Sequence, residues 1–275
     1  SASLDRVQET LDYDADVQNP VFPQKVDLPH EIGFNDFTFQ YPMSQVKNLQ
    51  QISLNLKKGQ TLGIVGKTGA GKTTFIRQLL MEYPLGNGQI VIGDVDLSKL
   101  TKEQVLDWIG YVPQDHVLFS RTIRENILFG KEDATEEDIR DAIRLAYFEK
   151  DLAHLPMGLE TLVGEKGVSL SGGQKQRVSI ARALIKNPEV LILDDSLSAV
   201  DAKTESKIIE NIQTERAGKT TIISTHRLSG IQHADEIIVL DEGSIVERGT
   251  HDELLALGGW YKEQYDRQQL EEVSE

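Results

Sequence analysis

Gly66-Lys67-Thr68-Gly69-Ala70-Gly71-Lys72-Thr73 sets glycines ahead of a lysine and a hydroxyl, at the spacing of a loop that wraps a polyphosphate. The glycines let consecutive backbone N–H groups point into one concavity, and a helix opening directly afterwards adds about half a positive charge. Lys72 would neutralise the β- and γ-phosphates of a nucleotide, and the Thr73 hydroxyl would be one ligand of Mg2+. A second candidate is the carboxylate pair Asp194-Asp195, at the end of the apolar run Val190-Leu191-Ile192-Leu193. Alone, that pair also fits a strand-to-turn transition, where Asp is a common breaker. With a phosphate loop upstream, Asp194 reads as a holder of Mg2+, through water. The third candidate is Leu170-Ser171-Gly172-Gly173-Gln174, a small-residue segment at the start of a helical pattern.

These groups need elements to position them. Residues 61–65 form a short apolar run that reads as a buried strand, and residues 74–80 continue as an amphipathic helix, so the glycine loop has the strand-to-helix context it requires. Residues 190–193 are too densely apolar for an exposed strand and imply a parallel sheet covered on both faces. In such sheets ligands bind outside the carboxyl ends of the strands, which sets Asp194 beside the phosphate loop. Val178, Ala181 and Ile185 fall on one face of a helix, so residues 171–173 occupy its N-terminus, where open N–H groups attract anions. Thr135 caps a further helix whose apolar face is Ile139, Ala142, Ile143 and Ala146. Residues 237–240 and 244–247 read as two strands joined by Asp241-Glu242-Gly243.

In their order along the chain these motifs resemble the nucleotide-binding domain of ATP-binding cassette (ABC) proteins over nearly all of residues 30 to 255. The resemblance implies an α/β fold: a RecA-like P-loop NTPase core with a small antiparallel β-subdomain and an α-helical subdomain. It implies ATP and Mg2+ as ligands, with Tyr41 stacking on adenine and Gly66, Lys67, Thr68, Gly69, Ala70, Gly71, Lys72, Thr73 and Thr74 cradling the phosphates. Gln114, in Tyr111-Val112-Pro113-Gln114, looks like the Q-loop glutamine, joining Thr73 and Asp194 around the metal and serving as a hinge. Ser171, Gly172, Gly173 and Gln174 are similar to the family signature, Ser198 and Asp201 to the D-loop, and His226 to the switch histidine. Lys72, Gln114, Asp195 and His226 are thereby the implied catalytic set. In this family the signature docks on ATP bound by a second domain, giving two composite sites in a head-to-tail pair.

One position departs from the pattern. Where the family has glutamate as base for the attacking water, this chain has Asp195, one methylene shorter. A base set back by about 1 Å can lose roughly a hundredfold in rate, so the chain's own site is expected to bind ATP and hydrolyse it slowly. The resemblance is to the degenerate-site subunit of heterodimeric bacterial multidrug exporters, whose partner keeps the glutamate. A homodimer with two slow sites, an aspartate that serves adequately, and a non-hydrolytic ATP-binding regulatory subunit remain open alternatives. Thr161-Leu162-Val163-Gly164-Glu165-Lys166-Gly167 resembles the X-loop of exporters, as does Thr122-Ile123-Arg124-Glu125-Asn126-Ile127 the stretch after their Q-loop. A transmembrane domain, in the same polypeptide, is the implied second partner.

Composition narrows the field. The net charge of −15 disfavours nucleic-acid binding, and the absence of cysteine excludes disulfides and thiolate metal sites. No apolar run reaches the roughly 18 residues that span a bilayer, so the chain reads as cytosolic in its own right; the exporter resemblance implies a place at the cytoplasmic face of the cell membrane. Leu4, Val7 and Leu11 recur at helical spacing before an acidic, proline-punctuated passage up to Pro29. That passage reads as a linker, and the exporter resemblance implies that residues 1–29 follow a transmembrane helix, 30–260 form the nucleotide-binding domain with its helical subdomain at about 115–172, and 261–275 form a C-terminal helix or tail. His251 has no metal-ligand spacing and reads as a surface or capping residue.

Overall fold

The computed structural model describes residues 17–115 and 117–274. The helical spacing of Leu4, Val7 and Leu11 lies outside the described residues. Two sheets organise the rest. The first is antiparallel, of order β2-β1-β4-β5, from β1 (Glu31–Phe39), β2 (Leu49–Lys57), β4 (Asn87–Ile92) and β5 (Val95–Asp96). Along β2, Leu49, Ile52, Leu54 and Leu56 are buried while Gln51, Ser53 and Asn55 face outward, as expected of a sheet with one wet face. The second sheet has order β10-β9-β3-β8-β7-β6, built from β3 (Thr61–Gly66), β6 (Ile109–Val112), β7 (Val190–Asp194), β8 (Thr220–Ser224), β9 (Glu236–Asp241) and β10 (Ser244–Gly249). Its strands pair in parallel except for the β9–β10 hairpin.

The second sheet divides the apolar interior. Successive side chains of a strand point to opposite faces, so Val190 and Ile192 of β7 join the core shared with the antiparallel sheet, while Leu191 and Leu193 join the core beneath the helices. Ile222 and Ile223 of β8 divide in the same way. This is why the apolar run 190–193 shows no alternation in sequence. Each such side chain contributes about 1.5–3 kcal/mol by leaving water.

The helices are α1 (Lys72–Leu79), α2 (Lys102–Trp108), α3 (Ile123–Leu128), α4 (Glu136–Leu145), α5 (Glu149–Ala153), α6 (Gly172–Ile185), α7 (Ala202–Glu215), α8 (His251–Leu257) and α9 (Trp260–Ser274). Helix α1 packs against the antiparallel sheet, where Phe75 stacks on Phe34 at 4.5 Å. Helices α3, α4 and α6 pack together on the other face, with Ile123, Ile127, Ile139 and Val178 fully buried. Reciprocal capping boxes start α3 at Thr122, α4 at Thr135, α6 at Ser171 and α8 at Thr250, each worth about 1 kcal/mol.

Two local findings add to the sequence reading, the second correcting it in part. Residues 19–26 carry no regular element but are tied down: Gln24 N–H donates to the Lys99 carbonyl at 2.8 Å, and Val26 N–H to Gln104 Oε1 at 2.7 Å. His251 does not cap α8. Thr250 does, and His251 Nδ1 instead lies 2.7 Å from the Tyr261 hydroxyl, where its half-buried ring anchors α9.

Candidate nucleotide-binding site

Strand register assembles the site. Ser224 at the end of β8 lies opposite Ile64 of β3 on one side and Asp194 of β7 on the other. Val112 at the end of β6 lies opposite Leu193. The loops that leave β3, β6, β7 and β8 therefore emerge side by side at the carboxyl edge of the sheet, and they carry Lys72, Gln114, Asp195 and His226.

The glycine loop turns into α1 with Gly69 at φ 82° and Gly71 at φ 115°, values that L side chains rarely adopt. At Gly71 a Cβ would also stand 3.0 Å from the Asn48 carbonyl. The hairpin between β9 and β10 backs the loop, with Gly243 N–H donating to the Ala70 carbonyl at 2.9 Å. Helix α1 has no side-chain cap, so its first N–H groups face the loop's concavity without one, in contrast to the boxed start of α6. Lys72 is only 8% exposed; its ammonium donates to the Gly66 carbonyl at 2.6 Å and lies 3.3 Å from His226 Nδ1. Burial pushes the Lys72 pKa down, while Asp195 and Asp194 pull it back up. Tyr41 follows β1 and reaches the same helix start, its hydroxyl donating to Thr74 Oγ1 at 3.1 Å. Phe39 and Tyr83 hold its ring edge-on at 4.8 and 4.9 Å.

The acidic edge faces this loop. Asp194 is 4% exposed, and its Oδ2 accepts from the Tyr111 hydroxyl at 3.4 Å and from Thr73 Oγ1 at 3.5 Å. Burial raises the Asp194 pKa, and the neighbouring Asp195 charge raises it further, against smaller opposing effects of Tyr111, Lys72 and Arg77. A buried carboxylate held at that cost is relieved by a cation. The donors gathered here are a hydroxyl, a carboxylate and, nearby, a second carboxylate and an amide, all hard oxygen ligands suited to Mg2+. Among the described residues no cluster of three or more His, Cys, Asp or Glu could hold a metal ion. Asp195 has φ 50°, in the left-handed region, and its N–H donates to the Ser224 carbonyl at 2.7 Å. Gln114 Nε2 approaches Asp195 Oδ2 at 3.4 Å, a long contact.

Residues 171–174 lie apart from this cluster. Ser171 Oγ accepts from Gln174 N–H and Gln174 Oε1 from Ser171 N–H, so the segment is the N-cap of α6. Among the described residues no hydrogen bond or ion pair joins it to the glycine loop. Gln174 Nε2 donates to Asp151 Oδ1 at 3.2 Å, and the segment also packs on residues 197–201: the bare backbone of Gly173 lies so close that a Cβ there would stand 2.8 Å from the Ala199 carbonyl. Gln176, 2% exposed, donates to Ser198 Oγ at 3.0 Å and accepts from Ala199 N–H at 2.8 Å. Asp201 caps α7 by accepting from Thr204 N–H at 2.7 Å. Arg227, next to His226, donates to the Leu197 and Val200 carbonyls and pairs with the buried Glu205 at 3.0 Å.

Sequence reading missed Tyr111, Gln176, Arg227 and Glu205. Tyr111 could have been found from the two-residue period of β6, which sets it on the face opposite Val112. Gln176 offered no signal, since it stands in the wholly polar run Gln174-Lys175-Gln176-Arg177.

Comparison with known proteins agrees with this geometry. Residues 49–198 match the family model described as ABC transporter, and the chain belongs to that family. Its fold is the ABC ATPase fold: it superposes on the structure of a bacterial Atm1-family ABC exporter with ATP bound at a TM-score of 0.88 and 38% identity, over 96% of this chain and 46% of that one. It is 62% identical to the probable multidrug resistance ABC transporter ATP-binding/permease protein YheI of Bacillus subtilis, over 98% of this chain and 46% of the relative. It is 45% identical to the multidrug resistance-like ATP-binding protein MdlA of Escherichia coli, over 88% of this chain and 41% of the relative. The chain thus spans about half the length of the curated relatives it matches.

Proposed function

We propose that this chain is the ATP-driven motor of a membrane exporter, working at the cytoplasmic face of the cell membrane. The observation that carries the reading is the convergence of Lys72, Thr73, Gln114, Asp194, Asp195 and His226 at one sheet edge, beside an uncapped helix start. Residues 66–74 cradle the phosphates, Lys72 swings from the Gly66 carbonyl to the β- and γ-phosphates, and Tyr41 stacks on adenine. Thr73, Asp194 and Gln114 would hold Mg2+, which when bound draws charge from the phosphoryl oxygens during transfer to water. Asp195 orients and deprotonates the attacking water as far as its short side chain reaches, and His226 donates toward the γ-phosphate. Water attacks the γ-phosphorus, its bond to the β–γ bridging oxygen breaks, and the proton passes toward Asp195.

Residues 171–174 act on a second domain's ATP. Their separation from the chain's own phosphate loop supports this, as does the closed capping box, which leaves the Gly172 and Gly173 amides at the helix tip. The partner is a different subunit that carries glutamate at the position of Asp195, so this chain's site is the slow one. The transmembrane partner belongs to the same polypeptide, in keeping with relatives of about twice the length whose names include a permease. Those relatives' names favour multidrug export. The test is single-turnover hydrolysis of radiolabelled ATP by this chain, alone and mixed with a nucleotide-binding domain that carries the glutamate. One slow and one fast nucleotide in the mixture support the asymmetric pair. Rapid hydrolysis of all bound ATP by the chain alone would make Asp195 a competent base and a homodimer the better description.

A further inference from the structure

Helix α9 lies beyond every motif of the nucleotide site, yet it reaches back to the switch segment. Its first turn is firmly anchored: Tyr261 is fully buried, and the N–H groups of Trp260 and Tyr261 donate to the Glu247 carboxylate at 2.7 and 3.3 Å. Two turns further along, the Gln268 carboxamide grips residues 226–228 at two points. Its Nε2 donates to the His226 carbonyl at 2.8 Å, and its Oε1 accepts from Leu228 N–H at 3.0 Å. A carboxamide has the donor and acceptor of a peptide group, so it pairs with this stretch as a neighbouring strand would. From the other side, Arg227 N–H donates to Thr225 Oγ1 at 3.0 Å, and the Arg227 guanidinium reaches the Val200 carbonyl at 2.8 Å. The backbone of His226 is therefore clamped between α9 and the loop ahead of α7. Its imidazole is exposed, so the backbone, rather than packing around the ring, sets the 3.3 Å approach to Lys72.

We propose that Gln268 is a positioning residue for His226: the C-terminal helix fixes the switch histidine by holding the carbonyl before and the amide after Arg227. The inference rests on His226 acting at the γ-phosphate, and the control below separates the two. Loosening one clamp lets the imidazole sample misplaced positions, and sub-ångström misplacement is felt in the chemical step more than in ground-state binding. Because α9 keeps its first-turn anchors, substitution of the half-exposed Gln268 leaves the fold in place.

The experiment measures single-turnover hydrolysis and the half-saturating ATP concentration for the 275-residue chain and for Gln268→Ala, Gln268→Glu and His226→Ala, with backbone hydrogen exchange at Leu228. Gln268→Ala is expected to slow hydrolysis about three- to tenfold while half-saturation moves less than about twofold. Gln268→Glu keeps an acceptor for Leu228 N–H but sets an oxygen against the His226 carbonyl. It should lose at least as much rate while Leu228 stays protected, a split that simple loosening of α9 would not give. His226→Ala should lose more than about tenfold. A native rate in Gln268→Ala beside a strongly impaired His226→Ala overturns the positioning role. A native rate in His226→Ala removes the histidine's own role and the inference with it. Equal losses in rate and half-saturation, with exchange rising throughout α9, also overturn it.

Discussion

Replacing Asp195 by glutamate isolates the effect of one methylene at the site proposed to be slow. The Asp195 carboxylate stands 3.4 Å from Gln114 Nε2, about 0.5 Å beyond a good N–H···O bond. One further carbon extends the side chain by a little over about 1 Å, estimated from ordinary single-bond lengths. A general base moved by about 1 Å is worth roughly a hundredfold in rate, or about 2.7 kcal/mol of barrier. The backbone works in the opposite direction on stability. At φ 50° aspartate is tolerated better than glutamate, so the variant gives up to about 1 kcal/mol of folding free energy, which lowers Tm without entering the barrier. The expected result is a rise of about ten- to a hundredfold in single-turnover hydrolysis, measured in the mixture with a glutamate-bearing domain, with Mg-ATP affinity within about twofold of native. A gain below about threefold at unchanged affinity would refute the assignment of slowness to side-chain reach and direct attention to the partner's signature or to residues 198–201.

Three further outcomes are expected. Lys72→Ala removes the buried cation of the loop and should weaken ATP binding by about a hundredfold or more, read with a fluorescent nucleotide. Asp194→Asn should stabilise the nucleotide-free chain at neutral pH while abolishing Mg2+-dependent binding. The sign follows from its raised pKa: the native carboxyl holds its proton more tightly than the unfolded one, so it favours folding below the ordinary value of 3.8, and that contribution is lost as pH rises through the elevated native value. Denaturant melts across that range should show the Asn advantage vanish below about pH 4, and a constant advantage would sink the assignment. Gly173→Ala gains roughly 1 kcal/mol of helix propensity but drives a Cβ to 2.8 Å from the Ala199 carbonyl, so a net loss of about 1–2 kcal/mol is expected in urea unfolding. A stabilised variant would show that residues 198–201 yield freely.

What the sequence determined by itself is the chemistry that lies within one continuous stretch. Residues 66–73 specify a glycine-rich turn suited to phosphate because glycine, lysine and threonine act through the backbone of one turn, and the flanking apolar runs fix it between β3 and α1. The cap at Thr135 and the helix start at residues 171–173 were readable for the same reason, as each depends on a few consecutive residues. The dense run 190–193 announced a parallel sheet because burial on both faces erases alternation. Only the tertiary structure decided which side chains meet. Tyr111 reaches Asp194 across 83 positions, and Gln268 reaches His226 across 42. Those contacts depend on strand register and helix docking, which the summed burial of two cores sets and which no local pattern of residues encodes. The same holds for the separation of residues 171–174 from the glycine loop: two glycine-bearing helix starts lie in one chain, and only packing sets one at the carboxyl edge of the sheet and the other beside residues 197–201.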